Sequence, residues 1–391
     1  MRKTLAILIT ALLAVIVLAS LISCEDDCDG GSFAVITYNG NGASDGSMSP
    51  QKLLKGKTAV LSENTYTRTD YVFTGWNTEA DGSGTSYSDC AEITLENDLT
   101  LYAQWAFKIV NITFDSNNGS GETISQTVPM NNPTALRANT FTEGGHGFAC
   151  WNTKADGSGT SYSDCSLVTA QGNMTLYAQW GVILTDDYTD WNESTYILNS
   201  DVTMNYHVII GISNVRLILH DGCTLTASYG IVIPAGACLT IDADGAGTGR
   251  IEATSDSHAA IGGTGTVNGG AVIINGGIIN ASSTEGAGIG GGLGGTAGSV
   301  TINGGTVTAI SINGAGIGGG NDSDGGEVTI NGGAVSASSN NGSGIGKGQS
   351  GGTSEGTLDS SISLLVSDNG IDWSDYDGVN RKPYMKTANY D

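Results

Sequence analysis

Positive charge, proline and histidine are scarce in this chain. Against 39 Asp and Glu stand 15 Lys and Arg and four His, a formal net charge of −24 over 391 residues. Phosphate backbones and anionic bilayer faces are held by clustered Lys and Arg, so the balance argues against nucleic acid and acidic lipid headgroups as partners. Only five prolines occur beside 60 glycines. Gly plus Pro comes to about 17%, below the roughly 25–30% of low-complexity disorder, and no Gly-X-Y triplet runs through the chain. Aromatic residues are missing altogether from residues 258–352. No P-loop, H-E-x-x-H or G-x-S-x-G context appears. What remains is 39% hydrophobic, enough to build cores.

The N-terminus reads as a secretion signal over residues 1–23. Arg2 and Lys3 precede an apolar run from Leu5 to Leu18, interrupted only by Thr10. It ends in Leu21-Ile22-Ser23-Cys24. This string resembles the lipobox of bacterial lipoproteins, which implies cleavage before Cys24, acylation of its thiol, and membrane attachment through the lipid anchor. Two or three acyl chains anchor firmly where one is marginal. Glu25, Asp26, Asp27 and Asp29 then make residues 24–33 an acidic linker; acidic residues after the lipidated Cys hint at the outer surface.

Spending Cys24 on lipid leaves six cysteines for an oxidising compartment. Cys150 with Cys165 and Cys223 with Cys238 are candidate disulfide pairs, although six cysteines allow about 15 connectivities. A zinc reading that joins His220, Cys223 and Cys238 with His207 or His258 lacks the spacing of a compact finger.

Two stretches repeat at an offset of 75: Asn77–Cys90 (NTEADGSGTSYSDC) and Asn152–Cys165 (NTKADGSGTSYSDC). Trp76 matches Trp151, and the strand-like LTLYAQW ending at Trp105 matches MTLYAQW ending at Trp180. β-Branched and aromatic runs bounded by Asn-Gly and Asp-Gly turns predict strands. These residues resemble the internalin-B-type, or Listeria–Bacteroides, repeat, in modules at 34–106 and 107–181. The resemblance implies a small β-grasp-like fold, a spacer or adhesive role on bacterial surface proteins, and no catalysis. The second copy departs where Gly145-His-Gly-Phe-Ala-Cys150 replaces Asp70-Tyr-Val-Phe-Thr-Gly75.

From 182 to 391 the pattern changes. Val272, Val300 and Val328 open Val-x-Ile-Asn-Gly-Gly at intervals of 28, and each interval holds three apolar pairs at i and i+2. Period-two pairs share one strand face. Three such faces per turn, stacked five deep, predict a right-handed parallel β-helix of five to six coils, with Ile362 and Leu364 opening the sixth. Asn275, Asn303 and Asn331, with Asp242 before them, are predicted to stack at one corner as a hydrogen-bonded ladder. Residues 187–212 and 371–391, rich in aromatics, are predicted caps. The fold class is thus mainly β throughout.

The periodicity resembles the pectin-lyase-like β-helix, which implies possible action on acidic polysaccharides. Catalysis would need acidic and basic groups together, and Arg216, Arg250, Asp242 and Asp244 on the early turns form the weak candidate polar face. The middle turns carry almost no acids or bases. No catalytic or metal residue is assigned, and no cofactor is required. Asn321-Asp-Ser-Asp-Gly325 is the one string able to hold Ca²⁺, although it matches no calcium-loop spacing. The reading is a non-enzymatic, lipid-anchored surface protein that binds a cell-surface protein or glycan. A polysaccharide lyase or glycosidase, or a purely structural spacer, are the alternatives.

Overall fold

The computed structural model describes residues 31–350, 354–360, 364–367, 374–376 and 382–387. The secretion signal, Cys24, Cys28, most of the acidic linker, Ile362 and Trp373 lie outside them. The described residues form strands and turns, with no helix, and none of their elements is a helix long and apolar enough to cross a membrane.

In the first module five strands make one mixed sheet, in the order Gln51–Leu54, Phe33–Asn39, Leu99–Phe107, Tyr71–Asn77, Ser86–Tyr87. The first and last long strands pair in parallel, Ile36 opposite Leu99. Alternate residues Ala34, Ile36 and Tyr38 point inward because successive strand side chains face opposite sides. Ile36 and Tyr38 pack with Leu101, Ala103 and the fully buried Trp76. Tyr38 and Phe73 bring their rings to 4.9 and 5.0 Å from that indole.

The repeated string NTxADGSGTSYSDC has a physical explanation. Asn77 is buried at its start, and its Nδ2 donates to Gly82 O, Gly84 O and Ser86 Oγ at 3.0–3.2 Å. Its Oδ1 accepts from the Glu79 and Gly84 amides. Asn152 makes the same five bonds in the second module. A buried side-chain amide is tolerated only when both ends are satisfied, so the loop is built around the Asn. Trp76 and Trp151 each donate Nε1–H to the Asp at the string's end, Asp89 and Asp164.

The departure in the second copy also has a cause. Its last strand, Met174–Ile183, runs past the 181/182 boundary and pairs in parallel with Thr195–Leu198, the first strand of the following region. Gly147 and Gly181 stand opposite each other where the first module has Val72 and Ala106. A methyl on Gly147 would come within 3.0 Å of Ile197 Cγ2, and one on Gly181 within 2.7 Å of Thr195 Cγ2. The two glycines let the sheet of the second module continue into the coils.

Beyond residue 184 each coil contributes one strand to each of three parallel sheets. The first sheet stacks Thr195–Leu198, Asn214–Leu219, Cys238–Ala243, Ala271–Ile274, Ser299–Ile302, Glu327–Ile330 and Thr357–Ser360. The second runs from Val202–Met204 to Ala334–Ser339. The third runs from Val208–Ile210 to Ile345–Gly346, with Asp190–Trp191 ahead of it. Like stacks on like: Leu239, Val272, Val300 and Val328 in one column, Ile261, Ile289, Ile317 and Ile345 in another. These side chains form one contiguous apolar column. Each fully buried Val, Leu or Ile contributes roughly 1.5–3 kcal/mol.

Two sequence expectations are corrected. Residues 187–212 are no separate cap, because Tyr196 and Leu198, Val202 and Met204, and Val208 and Ile210 make a full first coil. At the far end the next coil opens at Thr357–Ser360, with Leu358 opposite Val328. Leu364 belongs instead to an antiparallel closure: Leu364–Ser367 and Tyr384–Thr387 pair with each other, and the latter pairs with Ala334–Ser339. An antiparallel strand ends the stacking and shields the exposed sheet edge.

Glycine is required where coils approach most closely. Gly262, Gly290, Gly318 and Gly346 stack with φ between 137 and 145°. A Cβ on Gly290 would lie 2.1 Å from Gly318 O.

Candidate functional site

The predicted polar face divides. Arg216, Asp242 and Asp244 meet in a cleft of about 250 Å³ whose other wall is Phe148, Cys150, Tyr162 and Asp164 of the second module. Arg216 Nε donates to Asp242 Oδ2 at 2.5 Å, and its Nη1 lies 3.9 Å from Cys150 Sγ. His220 Nε2 stands 3.3 Å from Asp244 Oδ2. Burial opposes the charge on Arg216, but the Asp242 carboxylate outweighs it and holds the guanidinium above its ordinary value. Arg250 is elsewhere. It lies on the second sheet and donates to Glu252 at 3.0 Å, so it does not belong to the predicted cluster.

Both oxygens of Asp242 have a partner. Its Oδ2 takes Arg216 and its Oδ1 takes Asn275 Nδ2 at 2.7 Å. The predicted ladder continues upward: Asn303 Nδ2 donates to Asn275 Oδ1 at 2.8 Å, and Asn331 Nδ2 to Asn303 Oδ1 at 2.9 Å. A second ladder has the same polarity, with Asn341 donating to Asn313 and Asn313 to Glu285. A carboxylate accepts only, so it sets the direction in which every amide above it points. Asp242 and Glu285 are therefore structural termini.

The proposed disulfides are corrected. Cys150, Cys165, Cys223 and Cys238 are separate thiols. Cys150 is buried against Arg216 while Cys165 sits exposed in a turn at φ 55°. Cys238 lies on the first sheet, and Cys223 precedes a strand of the second. Burial raises the Cys223 thiol above its usual value, with nearby Asp201 and other carboxylates adding to the rise. In the calcium-capable string, Asn321 Nδ2 donates to Glu285 and Asp324 Oδ1 accepts Ser354 N. No cluster of three or more His, Cys, Asp or Glu with metal-site geometry occurs among the described residues, so the zinc set of His220, Cys223 and Cys238 does not assemble.

A second cleft was not anticipated from the sequence. At the corner before the third sheet, the first three coils place His207, Tyr229 and His258 together; the aligned strand residues are Val208, Ile231 and Ile261. Ser228, Thr254, Ser255, Asp256 and Ser257 complete a polar hollow of about 280 Å³. Beside it, Tyr206, Tyr229, Asn205 and Thr189 line a more open apolar hollow that shares His207. Tyr206 is 68% and Tyr229 51% exposed, which is high for large aromatics on a folded surface. In later coils the position of His258 is taken by Gly286, Gly314 and Gly342. The cleft is thus confined to the early coils.

Comparison with known proteins identifies the modules first. The Listeria-Bacteroides repeat domain matches residues 35–104 and 111–179, so the chain carries two of these domains in tandem. Two curated relatives come from Evansella cellulosilytica. One, named "Putative Gly-rich membrane protein", is 32% identical over 164 residues, covering 38% of this chain and 19% of its own length. The other, named "Putative membrane protein", is 30% identical over 114 residues, covering 28% of this chain and 17% of its own. The chain therefore spans less than a fifth of the length of either relative.

Proposed function

We propose that this chain is a bacterial cell-envelope binding protein, lipid-anchored at Cys24 and exposed on the outer surface. In this reading its stacked coils are a right-handed parallel β-helix that binds a neutral glycan without cleaving it. The single observation that carries the binding role is the pair of exposed tyrosines, Tyr206 and Tyr229, beside a polar hollow on the early coils. Tyr rings offer flat, rigid apolar area with a polar tip, and a few convergent hydroxyl and carboxylate groups orient a ligand. Sugar rings present the matching surface, a C–H face edged with hydroxyls. A net charge of −24 disfavours polyanionic glycans. The paired repeat domains and the membrane-protein names of the relatives support an envelope location. One bond on each Asp242 oxygen, to Arg216 and to Asn275, favours a structural role for that carboxylate.

The test is retention of the mature protein on a panel of insoluble neutral and acidic polysaccharides, with release of new chain ends followed in parallel. The expected result is saturable retention on neutral glycans, lost in the Tyr206→Ala/Tyr229→Ala double variant, with no new ends. New chain ends would overturn the reading.

A further inference from the structure

We propose that His207 and His258 form a two-histidine site for a first-row transition-metal ion of the Zn²⁺ class, at the floor of the early-coil cleft. This goes beyond the glycan-binding role and does not depend on it. Three observations carry the assignment. The imidazole centroids are 4.9 Å apart with planes inclined at 56°, close enough for one nitrogen of each ring to reach a shared ion at metal–nitrogen distances of about 2.0–2.1 Å once the nitrogens converge. His207 Nδ1 lies 2.6 Å from Tyr229 O. A carbonyl only accepts, so this contact places the ring proton on Nδ1 and leaves the Nε2 lone pair available. A backbone carbonyl on the opposite ring nitrogen is a usual partner of a metal-bound imidazole. Finally, His258 Nδ1 is buried with no hydrogen-bond partner among the described residues. An unsatisfied buried ring nitrogen is costly in stability terms, and an ion ligated at Nδ1 itself would offset that cost.

The surroundings agree. Asp256 and the hydroxyls of Ser255 and Ser257 line the same hollow and can hold the waters of the ion's remaining positions. No third His, Cys, Asp or Glu completes a compact set among the described residues. The site is therefore an open one, weaker than a four-ligand structural zinc centre.

The experiment is calorimetric titration of the full mature protein in detergent with Zn²⁺ and, separately, Cu²⁺, in the absence of any glycan. One ion per chain is expected, with Cu²⁺ bound more tightly and its electron paramagnetic resonance spectrum showing imidazole nitrogen coupling. His207→Ala changes an exposed side chain and should leave the fold intact, yet it should weaken binding at least about tenfold, as should His258→Ala. His220→Ala should bind as the parent does. Absence of stoichiometric binding, or unchanged binding by His207→Ala, would overturn the proposal. Glycan retention of the metal-free protein is measured separately, so the two readings fail independently.

Discussion

Asn275 and Asp242 share a 2.7 Å hydrogen bond that closes a three-amide ladder on a carboxylate already paired with Arg216. The interaction runs along the coil axis and ties residues 33 positions apart in sequence. It also gives the ladder a direction, because Asp242 can only accept. Asn303→Ala should therefore cost about 0.5–1.5 kcal/mol, the net value of ordinary hydrogen bonds. Asn303→Asp should cost more, because it sets an acceptor against Asn275 Oδ1. Asp242→Ala should cost about 1–3 kcal/mol by stranding Arg216 and Asn275 together. Urea unfolding of the three variants gives the ranking, and an Asn303→Asp variant as stable as the parent would contradict it.

Close coil packing predicts a contrast between glycines. Gly290→Ala sets a methyl 2.1 Å from Gly318 O and should destabilise by about 2–3 kcal/mol. Gly247 has φ 72° but nothing within 4 Å of its would-be Cβ, so Gly247→Ala should cost only the left-handed backbone term of about 1–2 kcal/mol. Thermal unfolding of the two variants compares them directly.

The junction between the second module and the coils depends on small residues. Gly147→Val restores the residue found in the first module and drives its side chain into Ile197. A loss of about 1–3 kcal/mol is expected. Val72→Gly in the first module, whose Val72 is exposed, should cost no more than about 1 kcal/mol, the strand-glycine penalty. Equal effects at the two sites would contradict the account of why the copies differ.

Stability should fall on mild acidification through His258. Burial and His207 hold its folded value below the ordinary 6.5, so the unfolded chain binds more protons there. The contribution is fully present above about pH 6.5 and is lost progressively as the pH falls through that value toward the folded one. His207 and Asp256 are the other titratable residues lining the hollow that holds the ring. In His258→Gln this part of the pH slope should vanish, which urea midpoints measured from pH 7.5 to 5 will read.

Much of the fold was legible because its signals are local and repeated. The 28-residue spacing of Val272, Val300 and Val328 emerges as in-register pairing, and the Asn275–Asn303–Asn331 ladder follows from the same count. Legibility failed where the spacing drifts. His207, Tyr229 and His258 share a corner, but their coils are offset by 23 and 30 residues, judged from Val208, Ile231 and Ile261. A cap over residues 187–212 leaves His207 out of that corner. Nearness in sequence groups Arg250 with Asp242, whereas consecutive strands of one coil enter different sheets.

The most direct test of the account is hydrogen exchange of the mature protein with and without the neutral glycan that retains it. The account predicts new protection confined to residues 205–209, 228–232 and 254–260, around Tyr206, Tyr229 and His258. Protection centred instead on residues 214–220 and 238–244, at the junction cleft with Arg216 and Asp244, would contradict it.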